Sequence, residues 1–402
     1  MDLEYRSPSA DEFEAVYRAV YVAFGEEPKE DDVERARRVM PVDRVVAAWD
    51  DGRPVGVAAS WPFELTIPGG MAPAAGVTWV GVHPSHRRRG ILTELMRRQL
   101  DDVHGRGEPI AILWASEAPI YGRFGYGIAA PETFMDAERG SFALRDDPGP
   151  RGTLRLLTLE EATEFIPPLY ESRRKERPGS LARSDAWWRE FLLADPEHWR
   201  DGYGPKFYAL LEIDGEPAGY ALYRIKEKWE EGTPRGELRV NEAFAVSPEA
   251  TAEIWRYLFG VDLVVRVKSG RIDPAWALAL MVTDARRLHL SLAEGLWLRL
   301  VDVEAALRGR TYADGEPAVL EVQDDRFARN AGRWAVGPEP GRTDADADVA
   351  LDVSDLASPY LGAFSFEQLA AAGRARELRP GGLGRATALF ATPIPPWCPE
   401  GF

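Results

Sequence analysis

The chain has 402 residues, room for two to three domains at roughly 150 residues each, which excludes a single small module. Hydrophobic residues make up 45% and charged residues 28%, a mixture that supports a packed core and excludes a disordered chain. With 49 Lys and Arg against 65 Asp and Glu the net charge is −16, which argues against a nucleic-acid partner and suits a cationic small molecule.

The opening Met1-Asp2-Leu3-Glu4-Tyr5-Arg6 has neither a basic n-region nor an apolar h-region, and no apolar run approaches the ~18 residues a membrane span needs. The lone cysteine, Cys398, permits no internal disulfide. Together these predict a soluble cytoplasmic protein with no membrane partner. Residues 45–56 read Val-Val-Ala-Ala-Trp-Asp-Asp-Gly-Arg-Pro-Val-Gly, two strands around an Asp-Gly turn, whose central residues need positive φ. A strand through Trp79-Val-Gly-Val-His-Pro84 follows. After it come Ser85-His86-Arg87-Arg88-Arg89-Gly90 and a helix with apolar Ile91, Leu92, Leu95, Met96 and Leu100.

Arg145-Asp-Asp-Pro-Gly-Pro-Arg-Gly152 reads as a linker. Beyond it, residues 208–219, Tyr-Ala-Leu-Leu-Glu-Ile-Asp-Gly-Glu-Pro-Ala-Gly, repeat the first hairpin, and Phe244-Ala-Val-Ser-Pro248 repeats the strand before the arginines. Both pairs are separated by the same length of chain to within one residue, so a duplicated domain is expected. The second copy continues Glu249-Ala-Thr-Ala-Glu-Ile-Trp255, without glycine or arginines, and is read as having lost whatever the first loop binds. A weaker boundary falls at 285–293, after the apolar run Trp276 to Val282. A strand over Leu296 to Val303, a helix over Glu304 to Leu307 and strands near 318–323 and 349–353 follow. The expected domains are 1–147, 148–287 and 288–402.

A strand, a turn with three arginines and a glycine, then a helix is a phosphate-binding design. The helix start offers unpaired N–H donors and partial positive charge, Gly90 permits close approach, and guanidinium forks suit a pyrophosphate. The pattern Val80-x-Val82-x-Pro84-x-x-Arg87-Arg88-x-Gly90 resembles the acetyl-coenzyme A loop of the GNAT N-acetyltransferases, although Leu92 departs from its last small position. Over its full length the chain resembles the Eis (enhanced intracellular survival) branch. Ser116-Glu117, Ile120-Tyr-Gly-Arg-Phe-Gly-Tyr-Gly127, Ala345-Asp-Ala-Asp348 with Leu351-Asp-Val353, Tyr360-Leu-Gly362 and the final Phe402 carry that likeness.

The resemblance implies an α+β protein: two tandem GNAT domains, each a mixed sheet flanked by helices and the second degenerate, plus a sterol-carrier-like α/β domain. It also implies hexamers. Acetyl-CoA would be the cosubstrate, its pantetheine arm lying between two splayed parallel strands. Val80 and Val82 would hold that arm, Arg87, Arg88, Gly90 and Ile91 the pyrophosphate, and Ser116 another part of the cofactor. Val80 and Val82 also read as buried strand residues. Tyr121 stands where the family places its general acid; a phenol with an ordinary pKa of ~10 can protonate a departing thiolate. Tyr126, the nearby competitor, reads as packing. The Phe402 carboxylate would receive the proton of the acceptor amine, after a Pro- and Trp-rich tail whose alternative is an ordinary frayed end.

Glu26 resembles an acidic pocket position, with Trp79 and Asp284 as a pocket wall and a remote anchor. Their alternatives are a solvated loop charge, a core residue and a helix cap. Asp344, Asp346 and Asp348 mimic a calcium loop but lack its glycine, since Val349 stands there. His83 and His86 lack further ligands, so no metal is expected, and Cys398 has no histidine nearby in sequence to activate it. The reading is an acetyl-CoA-dependent N-acetyltransferase acting on small polycationic amines such as aminoglycosides, by direct transfer in a ternary complex. The alternatives are a protein lysine acetyltransferase and a non-catalytic lipid or acyl-CoA carrier.

Overall fold

A computed structural model describes residues 3–274 and 277–402, so Met1, Asp2, Ala275 and Trp276, the start of one predicted apolar run, lie outside the described residues. In chain order the first elements are β1 (Glu4–Arg6), α1 (Phe13–Phe24), α2 (Glu30–Val39), β2 (Val45–Asp50), β3 (Arg53–Ile67), β4 (Gly70–Val82), α3 (Ile91–Gly105), β5 (Ile110–Trp114), α4 (Ala118–Tyr121) and β6 (Gly127–Glu138). Next come β7 (Thr153–Leu157), α5 (Leu159–Arg174), α6 (Asp185–Trp187), β8 (Phe207–Ile213), β9 (Glu216–Lys226), β10 (Trp229–Glu230), β11 (Thr233–Pro234), β12 (Gly236–Ala245), α7 (Pro248–Gly260), β13 (Val264–Ile272) and α8 (Ala277–Met281). The last part holds β14 (Ser291–Leu300), α9 (Val303–Gly309), β15 (Ala318–Gln323), β16 (Gly332–Val336), β17 (Gly341–Arg342), β18 (Val349–Asp352), α10 (Val353–Tyr360), α11 (Phe366–Ala371), β19 (Ala375–Glu377) and α12 (Gly382–Phe390).

Two compact units form. One contains residues 1–130, 295–393 and 401–402; the other contains 131–294 and 394–400. In the first, β1, β2, β3, β4, β5 and the end of β14 lie side by side, and β15, β16, β17, β18 and β19 make a second sheet. The expected hairpin forms at Asp51-Gly52, with φ of 45° and 76°, as the primed turn requires. Helix α3 buries Ile91, Leu95, Met96, Leu100 and Val103 at the 3.6-residue period, leaving Arg97 and Arg98 to pair with Glu94 at its surface.

The core behind β4 is built from distant stretches of chain. Ala75, Val77, Met96, Leu100, Ala111 and Leu113 pack with Tyr121, Phe124 and Tyr126, and also with Trp297, Val301 and Phe327. Beside the second sheet, buried Arg310 donates to the carbonyls of Pro359, Tyr360 and Phe390, at the C-terminal ends of α10 and α12, where partial negative charge collects.

The other unit repeats the plan. Its hairpin turns at Asp214-Gly215, φ 54° and 84°, and β12 runs parallel to β13 with the connecting α7 packed on the sheet, so the duplication expected from sequence is present. Ser247 caps α7, and no arginine or glycine stands at that helix start. The tail segment 394–400 belongs to this unit. There the Trp397 N–H donates to the Pro178 carbonyl at 2.8 Å and its indole N–H to that of Arg271 at 2.9 Å. Buried Arg183 bridges the carboxylates of Glu242 and Glu400.

Candidate active site

Strand β4 pairs in parallel with β5 only at Ala74–Ile110, Ala75–Ala111 and Gly76–Ile112. Past Gly76 the two strands part. On its other edge β4 keeps its partner β3, with a bulge between Thr78 and Gly81 where Trp79 takes a φ of 55°. The backbone of Val77–Val82 is therefore open toward β5. Gly90, at φ 81°, turns the chain into α3 without presenting a side chain to the helix start, and a β-carbon there would meet nothing within 4 Å.

A cavity of about 390 Å³ occupies this region. Val80, Val82, Arg87, Arg88, Gly90, Ile91, Ser116 and Tyr121 all line it, so the residues singled out for the cofactor and the acid converge on one space. Ala23, Phe24, Gly81, His86, Leu92, Thr93, Glu117, Ile120 and Arg123 also line it, and no local sequence signal assigns them to the cofactor. Arg87 is also a tie, donating to the carbonyl of Ala23 at 2.8 Å and to that of Val82 at 3.3 Å.

Tyr121 is the last residue of α4 and is 5% exposed. Burial pushes its phenol up, hydrogen bonding with the Ser116 side chain pulls it back, and the Glu117 carboxylate raises it. Tyr126 stacks edge-on against it with centroids 6.1 Å apart and is fully buried, in keeping with a packing role.

The loop that carries Tyr121 is held by later parts of the chain. A β-carbon on Gly125, itself at φ 83°, would stand 1.6 Å from Nη1 of buried Arg299, so any larger residue there would have to displace that guanidinium. Arg299 pairs with buried Asp324, which also accepts from Asn330, and its Nε and Nη1 have no hydrogen-bond partner among the described residues. Arg326 lies 4.7 Å over the Phe124 ring.

Phe402 and Trp79 lie elsewhere on β3 and β4. The Phe402 ring packs on Phe63, and Trp79 is ringed by Phe13, Tyr17 and Trp61 with centroids 5.0 to 5.9 Å away. Side chains alternate along a strand. Ala75 and Val77 thus face the Tyr121 cluster, while Gly76 between them faces Phe63 and Phe402.

Two acidic candidates are outside this cavity. Glu26 is exposed just past the end of α1, and the neighbouring Ala23 and Phe24 line the cavity instead. Asp284 belongs to the other unit, where its carboxylate accepts from the Arg286 N–H and caps a short turn. Asp348 is turned inward, accepting from the Val319 N–H and pairing with Arg385, and Cys398 is buried, its thiol pushed up to about 12 by burial.

A parallel pair of strands that part, with an arginine-glycine turn and helix start beside the opening, is the architecture of an acyl-CoA-dependent N-acetyltransferase. Residues 4–129 and 179–300 each match acetyltransferase (GNAT) domain families, and residues 303–399 match the sterol carrier protein domain. A Streptomyces avermitilis protein named an uncharacterized N-acetyltransferase is 42% identical, over 90% of each chain. The N-acetyltransferase Eis of Mycobacterium tuberculosis is 36% identical over 97% of each chain. The crystal structure of Eis1 from Mycobacterium abscessus superposes with a TM-score of 0.87, at 35% identity and with both chains fully covered. The chain belongs to the Eis family of GNAT N-acetyltransferases.

Proposed function

We propose that this N-acetyltransferase transfers acetyl from acetyl-CoA to amino groups of small polycationic amines, aminoglycosides among them, by direct attack within a ternary complex. The observation that carries the reading is the parting of β4 and β5 at Gly76–Ile112, with the Tyr121 cluster on one face of β4 and Phe402 on the other. Acetyl-CoA supplies the acetyl group activated as a thioester. Arg87, Arg88 and the first turn of α3 are suited to its pyrophosphate, and the open edge of Val80–Val82 to its amide arm.

Tyr121 gives its phenolic proton to the sulfur as the carbon–sulfur bond breaks and the carbon–nitrogen bond forms. The Phe402 carboxylate accepts, through water, the proton that the attacking amine loses. A carboxylate is a weak base, so its contribution is one of position and of holding the substrate ammonium. Trp79, half-buried and packed edge-on against Tyr17 and Trp61, is the pocket-wall residue of this reading, and the net charge of −16 favours cationic ligands. The carrier reading is not favoured, because Arg310, Trp334, Phe366 and Phe390 are all buried in the sterol-carrier part, where a lipid would need apolar space.

The test is thiol release from acetyl-CoA against aminoglycosides, polyamines and lysine peptides, with product masses. Amine-dependent release with mass gains in multiples of one acetyl group supports the reading. Release with lysine peptides alone makes the acceptor a protein, and binding of acetyl-CoA without release overturns catalysis.

A further inference from the structure

The acetyl-transfer reading gives the second copy no task, yet that copy keeps an opening of the same kind as the first. Strands β12 and β13 pair in parallel from Gly236–Val264 as far as Val240–Ser269 and then part, while β12 stays paired with β9 as far as Ala245. Val240 follows Gly76 by the length of chain that separates Pro248 from Pro84, so the parting falls at the repeated position. A cavity of about 250 Å³ lies there, walled by the parted stretches 241–245 and 269–273. Its phosphate end is gone. Ser247 Oγ accepts from the Ala250 N–H at the start of α7, and Glu249 puts negative charge in the first turn, where an anion would be repelled.

The chain's own tail is tied to both parted strands, and Ile394, Trp397 and Pro399 line the cavity. On the β13 side, Arg271 takes a φ of 52° in the bulge between Ser269 and Ile272, and its carbonyl accepts from the Trp397 indole N–H at 2.9 Å. On the β12 side, the Glu242 carboxylate accepts from Nη1 and Nη2 of Arg183 at 2.9 and 2.6 Å, and Nε of the same guanidinium donates to Glu400. The Trp187 indole donates to the other oxygen of Glu400 at 3.2 Å. Arg183 lies 3.7 Å from the ring centre of Tyr170 and 4.4 Å from that of Trp188, with its side chain wholly buried. Taking three charged groups out of water is costly even when they are paired, and a tail that only came to an end here would leave Glu400 in solvent.

We propose that the opening of the second copy is a binding seat for the chain's own tail, and that Trp397 and Glu400 are positioning residues for the Phe402 carboxylate. Only Gly401 separates Glu400 from Phe402, so their α-carbons lie within about 7 Å of each other, and fixing one confines the other. The degenerate copy has exchanged a nucleotide for a peptide ligand in the same chain. The positioning role rests on the reading of Phe402 as acceptor of the amine's proton.

The experiment uses the full-length protein with Trp397→Phe, which keeps a ring and loses the N–H, and with Glu400→Gln, which keeps the shape and loses the charge. The first readout is removal of Phe402 by a carboxypeptidase, followed by intact mass. Cleavage needs an unseated end, so its rate follows the open population and should rise about tenfold or more in each variant. The second readout is kcat with the aminoglycoside or polyamine that gives the fastest thiol release. Each substitution should lower kcat about threefold to tenfold, with the KM for acetyl-CoA unchanged, and should lower it no further in protein made without Phe402. Trimming at the wild-type rate in both variants overturns the seat. Losses of kcat that add to the loss from removing Phe402 overturn the positioning role. Faster trimming, in a protein whose kcat does not respond to removal of Phe402, supports the seat and overturns the reading of Phe402 instead.

Discussion

Phe402 lays its ring against that of Phe63, centroids 5.1 Å apart and planes at 59°, with one ring carbon 3.3 Å from where a β-carbon on Gly76 would stand. Gly76 is the last residue at which β4 still pairs with β5, so the ring marks the fork of the opening. Phe402→Ala keeps the α-carboxylate and removes what aims it. We expect kcat to fall about tenfold or more, equivalent to ~1.4 kcal/mol of lost positioning, with acetyl-CoA affinity unchanged. Unaltered turnover in steady-state kinetics would remove Phe402 from the mechanism.

Tyr121→Phe deletes one oxygen from a buried ring and should leave the fold intact. Loss of a general acid typically costs about 10²- to 10⁴-fold, and the loss should fall on kcat rather than on the binding of acetyl-CoA. Burial raises the Tyr121 phenol above its ordinary value near ~10, so the protonated form persists through neutral and mildly alkaline pH. The pH profile of kcat should therefore show no alkaline decline below about pH 10, and a decline well below that would mean the acid is another group.

Arg87 and Arg88 are both exposed and line the same cavity, yet they differ in what else they touch. Arg87 ties the carbonyls of Ala23 and Val82 together. Arg88→Ala should weaken acetyl-CoA binding about tenfold with no change in melting temperature, as for one lost charge-assisted contact. Arg87→Ala should weaken binding and also lower the melting temperature. Equal effects of the two on both measurements would show that the tie contributes nothing.

Arg299 and Asp324 form an ion pair with both side chains almost wholly buried. Asp324→Ala strands the guanidinium without its carboxylate, which should cost ~3–5 kcal/mol and be visible as a large drop in denaturation midpoint. Replacing both partners with apolar residues should recover much of that loss. A single substitution without effect would show that water reaches the site.

Much of this was readable in the sequence wherever the signal was local. Asp51-Gly52 and Asp214-Gly215 announce their turns because few other pairs tolerate positive φ twice, and their spacing exposed the duplication. The cavity residues from Val80 to Ile91, with Ser116 and Tyr121, were legible through the loop pattern and the family resemblance, and they do share one space. Glu26 was taken from its likeness to an acidic pocket position and Asp284 as a remote anchor, and neither ground says which way an exposed loop faces. Neither lines that cavity. Arg299 at Gly125 was invisible because the two lie far apart in the chain and nothing local links them. A glycine in a motif reports that space is needed and does not report who takes it.

That last contact bears on the order in which the protein is made. The core around Tyr121 contains Trp297, Val301 and Phe327, and strand β5 has β14 as its neighbour. A ribosome releases the loop of Tyr121 long before it has produced those partners, so the nascent first module must wait, its apolar faces uncovered, while the whole second copy emerges. Chaperones that hold unfolded chains bind such faces, and an excised N-terminal fragment should need them permanently.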